Sequence, residues 1–404
     1  MNYTSSPPTS EPGTMPSCEA AVEHLALTAD SWACAEASCF RGTSGVVDCH
    51  LTVRLTGNPD DPAGALEQAW LAALVAMGID PSGTVLRRIF CSDVVNQAAP
   101  LGKFARAYPG AVSIIGQSPL PAAKLAIWSQ HLYDPACALI THGDDRGFSC
   151  ARGDLTHHWL TGWCDTHADD SAGQTRRVLA AQDTWLATHG MTMADNVVRT
   201  WWFVRNIDTD YQGLVDARRE IFTSHGLTEH SHYIASTGIA GAAADLGARV
   251  ALDTLAIAGL QAEQITYPSA PSHLGPTSAY GVTFERATTI SFADRRLIYI
   301  SGTASIDRHG NILHEGQVMR QLDRTLENIT ALLADAHANT GDLASIIVYL
   351  RDPADGAAVE TALRDRLGPI PMVLVHAPVC RPGWLVEIEG IAIVPAQCPD
   401  LPPY

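Results

Sequence analysis

One glutamate, Glu387, interrupts an apolar segment of the sequence that reads LVEIEGIAIV. Valine, isoleucine and leucine in a short uninterrupted run are typical of a buried β-strand. A carboxyl group in such surroundings loses its hydration, which raises its pKa toward neutrality. Glu387 is therefore a candidate general acid that donates a proton near pH 7. The alternative interpretation is a glutamate at a sheet edge that forms an ion pair with an arginine.

A cysteine, Cys380, precedes Glu387 by one short segment and opens the turn CRPG. Its thiolate could act as a nucleophile. The one histidine close to it in the sequence, and so the candidate partner, is His376. A lone buried thiol more often serves as a small apolar side chain. The residues alone leave both interpretations open.

Four arginines occur in apolar surroundings, beside the boundaries of the repeats described below. A planar guanidinium binds a carboxylate through two parallel hydrogen bonds, and ligand sites favour interfaces between units. We therefore expect these residues to hold a small anion, although each could instead form an ordinary ion pair. The four are Arg199, Arg218, Arg286 and Arg381.

Hydroxyl groups and a bare backbone amide follow in the segment HYIASTGIAGA, which contains Ser236, Thr237 and Gly238. Such groups can bind an anion, as can the phenols of Tyr211 and Tyr280, but the segment could equally be an ordinary turn. The sequence contains neither glycine-rich phosphate motif, and neither H-E-x-x-H nor G-x-S-x-G. These absences argue against the commonest cofactor-dependent and hydrolase classes.

The elements that carry these residues occur in the same order three times: a strand pair, a long helix, a strand, a second helix and a closing strand pair. The third copy is the clearest, and its first helix is predicted over residues 317–336. The interval from Gln174 to Trp202 equals that from Gln321 to Tyr349, which links the second copy to the third. Accidental periodicity is the alternative explanation.

Three such units stacked around a common axis would bury the sheet faces that one unit leaves exposed. We therefore predict an α/β pseudo-trimer with mixed sheets inside and helices outside. The predicted boundaries are a flexible tail over 1–28, a degenerate first unit over 29–145, a second over 146–270 and a third over 271–404. The tail prediction rests on its Ser, Pro and Thr content.

The closing strands of the three copies differ where chemistry is expected. Aligned, they read VEIEGIAI, VALDTLAI and LAIWSQHL, which places Glu387 opposite Ala251 and Ala126. Glu389 corresponds to Asp253 in the second copy, so an acidic group at that position is shared and less specialised. Glu387 and Cys380 are thus the residues that distinguish the third copy.

Composition limits the class of protein further. A net charge of −17 argues against a nucleic-acid partner. Ten cysteines without a C-x-x-C pair predict reduced thiols and no zinc cluster. No apolar stretch is long enough for a membrane span and no leader is evident, so we expect a cytoplasmic protein. A pseudo-trimeric chain has little need to associate, and we expect a monomer.

The segments SGTASIDRHG and LVEIEGIA resemble the YjgF/Rid family, whose fold is the chorismate-mutase-like α/β unit. A longer ordered series resembles the chorismatases over about residues 110–395. That series consists of VVRTWWF, ASTGI, YGVTFERA, SGTASID and VCRPGWLVEIEGIA. The chain departs from the family at Leu214 and Val215, where chorismatases tend to carry Phe-Asn.

The resemblance implies an enzyme that cleaves the enol ether of chorismate and releases pyruvate without metal or organic cofactor. It implies that Glu387 protonates the enolpyruvyl methylene, that the four arginines hold the two carboxylates, and that Tyr211 and Thr237 add hydrogen bonds. Cys380 matches the branch that forms 3-hydroxybenzoate. Three alternatives stay open: hydrolysis to a dihydroxycyclohexadiene acid, a Rid-type enamine or imine deaminase, and a non-catalytic ligand-binding protein.

Overall fold

The computed structural model describes residues 22–27, 32–134, 140–144 and 147–404. The helices are α1 (Pro62–Met77), α2 (Val94–Ala107), α3 (Ser171–Thr188), α4 (Met193–Asn196), α5 (Ile207–Ser224), α6 (Val318–Asp335) and α7 (Gly356–Leu367). The strands are β1 (Val22–Leu27), β2 (Ala33–Arg41), β3 (Val47–Leu55), β4 (Thr84–Cys91), β5 (Ala111–Gly116), β6 (Ser118–Leu120), β7 (Leu125–Tyr133), β8 (Ile140–Asp144), β9 (Gly147–Arg152), β10 (Leu155–Cys164), β11 (Val197–Val204), β12 (Ala235–Ala240), β13 (Val250–Ala258), β14 (Ile265–Thr266), β15 (Ala287–Ser291), β16 (Arg295–Ala304), β17 (Leu343–Leu350), β18 (Met372–His376) and β19 (Val386–Pro395).

The strands form three mixed sheets. The first has the order β1-β2-β3-β7-β4-β5, the second β12-β11-β13-β10-β9-β8, and the third β14-β15-β16-β19-β17-β18-β6. One parallel pair occurs in each sheet, namely β4/β5, β11/β12 and β17/β18. Repeated α/β units in one chain, as predicted, are thus confirmed. The unit boundaries stay a proposal, and β6 crosses them because it pairs with β18 of the third sheet.

The helices pack on the outer faces of the sheets. Helices α1 and α2 cover the first sheet, α3 and α5 the second, and α6 the third. Asp61 and Asp170 begin α1 and α3 by accepting hydrogen bonds from Gly64 and Gly173. Between the sheets, Trp128, Trp201 and Tyr349 belong to one shared apolar core, so the sheets lie inside as expected.

Two glutamines show the internal symmetry at atomic detail. Gln174 on α3 donates to the carbonyl of Gly247 and accepts from the amide of Arg249. Gln321 on α6 donates to Gly383 and accepts from Leu385 in the same way. Each glutamine thereby ties its helix to the chain that enters the closing strand.

The strand registers confirm the closing-strand alignment, since Glu387 lies opposite Tyr349 as Ala251 lies opposite Phe203. They also show that the two intervals compared between the second and third copies do not end at equivalent residues, because their end points are offset by one residue. Trp202 pairs with Leu252 and therefore corresponds to Val348, which pairs with Ile388. The connection between helix and strand is one residue longer in the second unit, where it contains α4.

In two of the three units a β-bulge interrupts the strand that precedes the long helix and pairs with the closing strand. The register of β10 shifts between Leu160 and Trp163, and that of β16 between Ile300 and Thr303. The corresponding strand β3 pairs with β7 without a shift. A bulge redirects neighbouring side chains, and the third unit places its bulge beside Glu387.

Two predictions were wrong in part. Residues 22–27, assigned to the tail, form β1 and pair with β2 along their full length; residues 1–21 lie outside the described part of the chain. The thiols are not all reduced, because Cys39 and Cys49 are opposite each other on β2 and β3 and form a disulfide. Sequence spacing does not reveal that pair, which depends on the hairpin register.

Candidate active site

Glu387 lies on β19, an interior strand of the third sheet, between Ala304 of β16 and Tyr349 of β17. Its side chain is 5% exposed. Burial raises the pKa of Glu387 to about 8, the negative charge of Glu389 adds to the effect, and Arg199 opposes it. Within the described residues Glu387 forms no ion pair. The carboxyl group is therefore protonated at neutral pH, unlike the edge glutamate of the alternative interpretation.

The backbone bulge on β16 provides the space for this carboxyl group. A Cβ atom added to Gly302 would lie 2.2 Å from Oε1 of Glu387 and 3.2 Å from the methyl group of Thr237. No side chain fits at position 302 while the carboxyl group stays in place. Glycine is required there for close approach, with no positive φ angle involved.

Glu387 borders a cavity between the second and third units. From the second unit the lining residues are Tyr211, Arg218, Ser236 and Gly238. From the third unit they are Tyr280, Val282, Phe284, Arg286, Gly302, Ala304, Ile306, Cys380, Arg381, Trp384 and Glu387. The cavity thus brings together most of the residues that the sequence singled out, and it lies between repeated units as expected.

Three arginines supply hydrogen-bond donors and positive charge to the cavity. Arg218 donates to Thr283 at 3.1 Å and to Ser236 at 3.4 Å, while its Nη2 is buried without a partner in the described part of the chain. The same holds for Nε of Arg286. Arg381 donates to the carbonyl of Gly310 at 2.9 Å. With Glu387 neutral, these side chains make the cavity suited to an anion.

Tyr280 organises two of the arginines. The guanidinium carbons of Arg286 and Arg381 lie 5.4 Å and 4.9 Å from its ring centroid, so both cations stack on one phenol ring. Trp384 holds Arg381 from another side, with its ring centroid 4.8 Å away. The stacking fixes the planes of both guanidinium groups before any ligand binds.

Cys380 faces the same cavity as a thiol. Burial raises its pKa to about 12, and the nearby Glu387 carboxyl group adds to the effect. The side chain of Tyr211 lies beside the sulfur, and burial raises the pKa of Tyr211 well above its usual value. Cys380 is consequently protonated at neutral pH and is a weak nucleophile in this state.

Arg199 and Thr237 do not line the cavity. The Nη2 atom of Arg199 lies 2.7 Å from a carboxylate oxygen of Glu389 and 2.6 Å from the hydroxyl of Thr237. The Thr237 hydroxyl also binds Glu389 and the amide of Gly302. Because Glu389 holds the Nη2 atom of Arg199 and the Thr237 hydroxyl, and neither side chain lines the cavity, direct contact with a ligand in the cavity is not proposed for them, although Nη1 of Arg199 is buried without a partner among the described residues. The alternation of side chains along β11 turns Arg199 toward the axis shared by the sheets.

Sequence reasoning missed several lining residues. Gly302 lies in the segment SGTASID, but its role depends on the bulge, which no spacing reveals. Trp384 follows the CRPG turn, and Phe284 and Val282 flank the Tyr280 segment; all three could have been noted as apolar neighbours of predicted site residues. No group of His, Cys, Asp or Glu side chains among the described residues is arranged to hold a metal ion. Likewise, none of the described helices has the length and apolar character of a membrane span.

Comparison with known proteins places these features in a class. Residues 286–394 match the family model described as Endoribonuclease L-PSP. A RutC family protein of Pyrococcus abyssi is 28% identical over 132 residues, which are 32% of this chain and 95% of that protein. The 3-aminoacrylate deaminase RutC of Acinetobacter baylyi is 26% identical over 100 residues, or 24% of this chain and 79% of that one. The third unit is thus similar to single Rid-type proteins.

Most of the chain is similar to a second protein of known structure. A crystal structure of a chorismatase matches with a TM-score of 0.57 and 20% sequence identity, covering 83% of this chain and 96% of the other. This likeness shows a common fold over most of the chain. The predicted resemblance to the chorismatases, with Rid-like units, is confirmed at that level.

Proposed function

We propose that this protein cleaves the enol ether of chorismate and releases pyruvate. The observation that supports it most is the protonated carboxyl group of Glu387 at the wall of an arginine-lined cavity. Chorismate carries two carboxylates and an enolpyruvyl ether, so it needs cationic partners and a proton donor near a carbon atom. The fold shared with a chorismatase agrees with this proposal.

In the proposed reaction Glu387 donates its proton to the terminal methylene carbon of the enolpyruvyl group. The electrons of the carbon–carbon double bond form the new C–H bond, and the adjacent carbon becomes an oxocarbenium ion stabilised by the ether oxygen. Water adds to that carbon, and the resulting hemiketal collapses to pyruvate and a ring alcohol. The negative carboxylate left on Glu387 stabilises the cation until a proton returns.

The arginines are proposed to orient the dianion. Arg218 from the second unit and Arg286 and Arg381 from the third approach the cavity from different elements, and two of them hold buried donors without partners. Bidentate contacts to the two substrate carboxylates would fix the methylene carbon against Glu387. The apolar walls formed by Phe284, Ile306 and Trp384 would exclude bulk water from the cation.

Cys380 is proposed to steer the ring product. Because the thiol is protonated at rest, a role in orienting the ring intermediate agrees better with its pKa than immediate attack as a thiolate. The proposed main product is 3-hydroxybenzoate, formed after loss of water restores aromaticity. That route consumes no water overall, whereas the diene acid consumes one water per turnover.

The experiment is to mix purified protein with chorismate, without added metal or cofactor, and to quantify pyruvate and ring products by chromatography. Equal amounts of pyruvate and 3-hydroxybenzoate are expected. Pyruvate with a dihydroxycyclohexadiene acid would keep the enol-ether chemistry and reverse the product assignment. No pyruvate above the spontaneous background would overturn the proposal and direct the search to enamine or imine substrates of the Rid type.

A further inference from the structure

Glu389, two residues after Glu387 on the same face of β19, is held by three groups from the second sheet. Arg199 donates at 2.7 Å, the indole of Trp201 donates at 2.9 Å, and the hydroxyl of Thr237 donates as well. The side chain of Glu389 is buried and forms ion pairs with Arg199 and, at 3.6 Å, with Arg88 of β4 in the first sheet. These ion pairs therefore join the three sheets.

Thr237 uses every hydrogen-bonding position of its hydroxyl group. It donates to Glu389 and accepts from Arg199 at 2.6 Å and from the amide of Gly302 at 3.0 Å. A hydroxyl offers one donor and two acceptor positions, so this one has no freedom to rotate. The ionised pair is thereby linked to the bulge of β16.

Gly302 is also the wall against which the Glu387 carboxyl group lies. Its amide is fixed by Thr237, and its missing side chain leaves the space that Oε1 occupies. The position of Glu387 thus depends on a chain of contacts that begins at Glu389. Two carboxyl groups on one strand face also repel when both ionise, so a negative charge on Glu389 adds to burial in favouring the protonated form of Glu387.

The second unit shows the same arrangement without an acid. Asp253, which corresponds to Glu389, accepts from the bulge amide of Gly162 at 2.9 Å and pairs with Arg88 at 3.1 Å. Position 251, which corresponds to Glu387, is an alanine. A carboxylate linked to the bulge therefore occurs in both the second and the third unit. In the third unit it lies beside the proton donor, Glu387.

We propose that Glu389 is a positioning residue: together with Arg199 and Thr237 it fixes the Gly302 wall, and it places a second acidic group next to the Glu387 carboxyl group. The proposal deepens the assignment of Glu387 as the acid and rests on it for its kinetic readout. Arg199 then acts on a ligand indirectly, because it holds Glu389, which in turn positions Glu387.

Other charged and titratable groups also surround Glu387, and a pH test has to take them into account. They are Arg199 on β11, Tyr211 and Arg218 on α5, Tyr349 on β17, Tyr280 and Arg286 before β15, and Cys380 and Arg381 before β19. Of the arginines, Arg199 favours ionisation of Glu387, and the three phenols and the thiol stay neutral up to high pH. Near Glu387, Glu389 is the group whose negative charge opposes ionisation.

The test compares Glu389→Gln with Asp253→Asn, which removes the equivalent carboxylate in the second unit. Each variant removes a carboxylate from a buried arginine, Arg199 for Glu389→Gln and Arg88 for Asp253→Asn, so both should lower the thermal midpoint. Arg88 contacts both carboxylates and keeps one of them in either variant. Only Glu389→Gln should move the alkaline limb of the pH profile of pyruvate release, to lower pH by about one unit. An unmoved limb in Glu389→Gln, with a midpoint lowered as in Asp253→Asn, would overturn the proposal.

A second pair of variants tests the link through the hydroxyl group. Thr237→Val keeps the shape and removes the contacts to Gly302, and should lower kcat about 10- to 100-fold with little change in KM. Thr237→Ser keeps the hydroxyl and should restore most of the rate. Equal losses in both variants would assign Thr237 to packing alone.

A measurement without substrate separates this inference from the proposed reaction. The proton on Glu387 can be followed through the difference in thermal midpoint between the wild type and Glu387→Gln as the pH rises. Repeating the comparison in a Glu389→Gln background should move the change to lower pH. This result can be obtained even if chorismate is not the substrate, and an identical pH dependence in both backgrounds would count against Glu389.

Discussion

The carboxyl group of Glu387 occupies the space where residue 302 would carry a side chain, since a Cβ atom on Gly302 would lie 2.2 Å from Oε1. Gly302→Ala should therefore displace the carboxyl group and lower kcat at least about 100-fold, because misplacement of about 1 Å is costly in a positioned reaction. Pyruvate release and the thermal midpoint measure the effect. Gly143→Ala is the control, because the nearest atom to its added Cβ is a Phe148 ring carbon at 3.6 Å. An active Gly302→Ala enzyme would contradict this geometry.

The raised pKa of Glu387 predicts two linked pH effects. Activity requires the protonated acid, so kcat/KM should fall as the pH rises through about 8. Stability follows the same proton: the folded state holds it between the usual carboxyl value of 4.5 and about 8, while the unfolded state does not. The wild type should lose stability across that window relative to Glu387→Gln, by a few kcal/mol in total. Parallel midpoints of the two proteins from pH 5 to 9 would show that Glu387 is ionised in the folded state.

Arg218 should contribute to substrate affinity. Arg218→Gln removes a guanidinium group whose Nη2 atom has no hydrogen-bond partner among the described residues. The substitution should raise KM about 10- to 100-fold. Arg176→Gln is the matched control, because that arginine is exposed and pairs with Glu220. Steady-state kinetics on both variants tests the assignment. An unchanged KM in Arg218→Gln would exclude this arginine from carboxylate binding.

Cys380 should influence the product rather than the release of pyruvate. Cys380→Ala is expected to move the ring product from 3-hydroxybenzoate toward the diene acid, as seen by chromatography of the reaction mixture. Cys91→Ala provides a close control, since burial raises the pKa of Cys91 to about 12 as well, but that thiol donates to Ile115 in the first unit. An unchanged product ratio in Cys380→Ala would reduce its role to packing.

Periodicity predicted the fold well because it reports local properties. The helix expected over 317–336 is α6, Val318–Asp335, and the buried stripe includes Leu322, Ile329 and Leu333. The closing-strand alignment was correct because alternation along a strand fixes which residues share a face. The site between two units was expected from the position of the arginines beside the repeat boundaries.

The features that the sequence could not predict depend on which residues of distant strands pair with one another. Arg199 was expected at the ligand, and only the packing of the second sheet against the third shows that it binds Glu389. The Cys39–Cys49 disulfide depends on the pairing of β2 with β3. Gly302 acquires its role from a bulge, and a bulge leaves no periodic signal.

The most direct test of the account is pyruvate release from chorismate by the wild type and by Glu387→Gln, without metal or cofactor, at pH 7. An amide cannot supply the proton, and because it stays neutral in the folded and the unfolded state, the variant should have a thermal midpoint at pH 7 at or above that of the wild type. The account predicts pyruvate in equal amount to ring product from the wild type and none above background from the folded variant. Turnover by Glu387→Gln at the wild-type rate would contradict it.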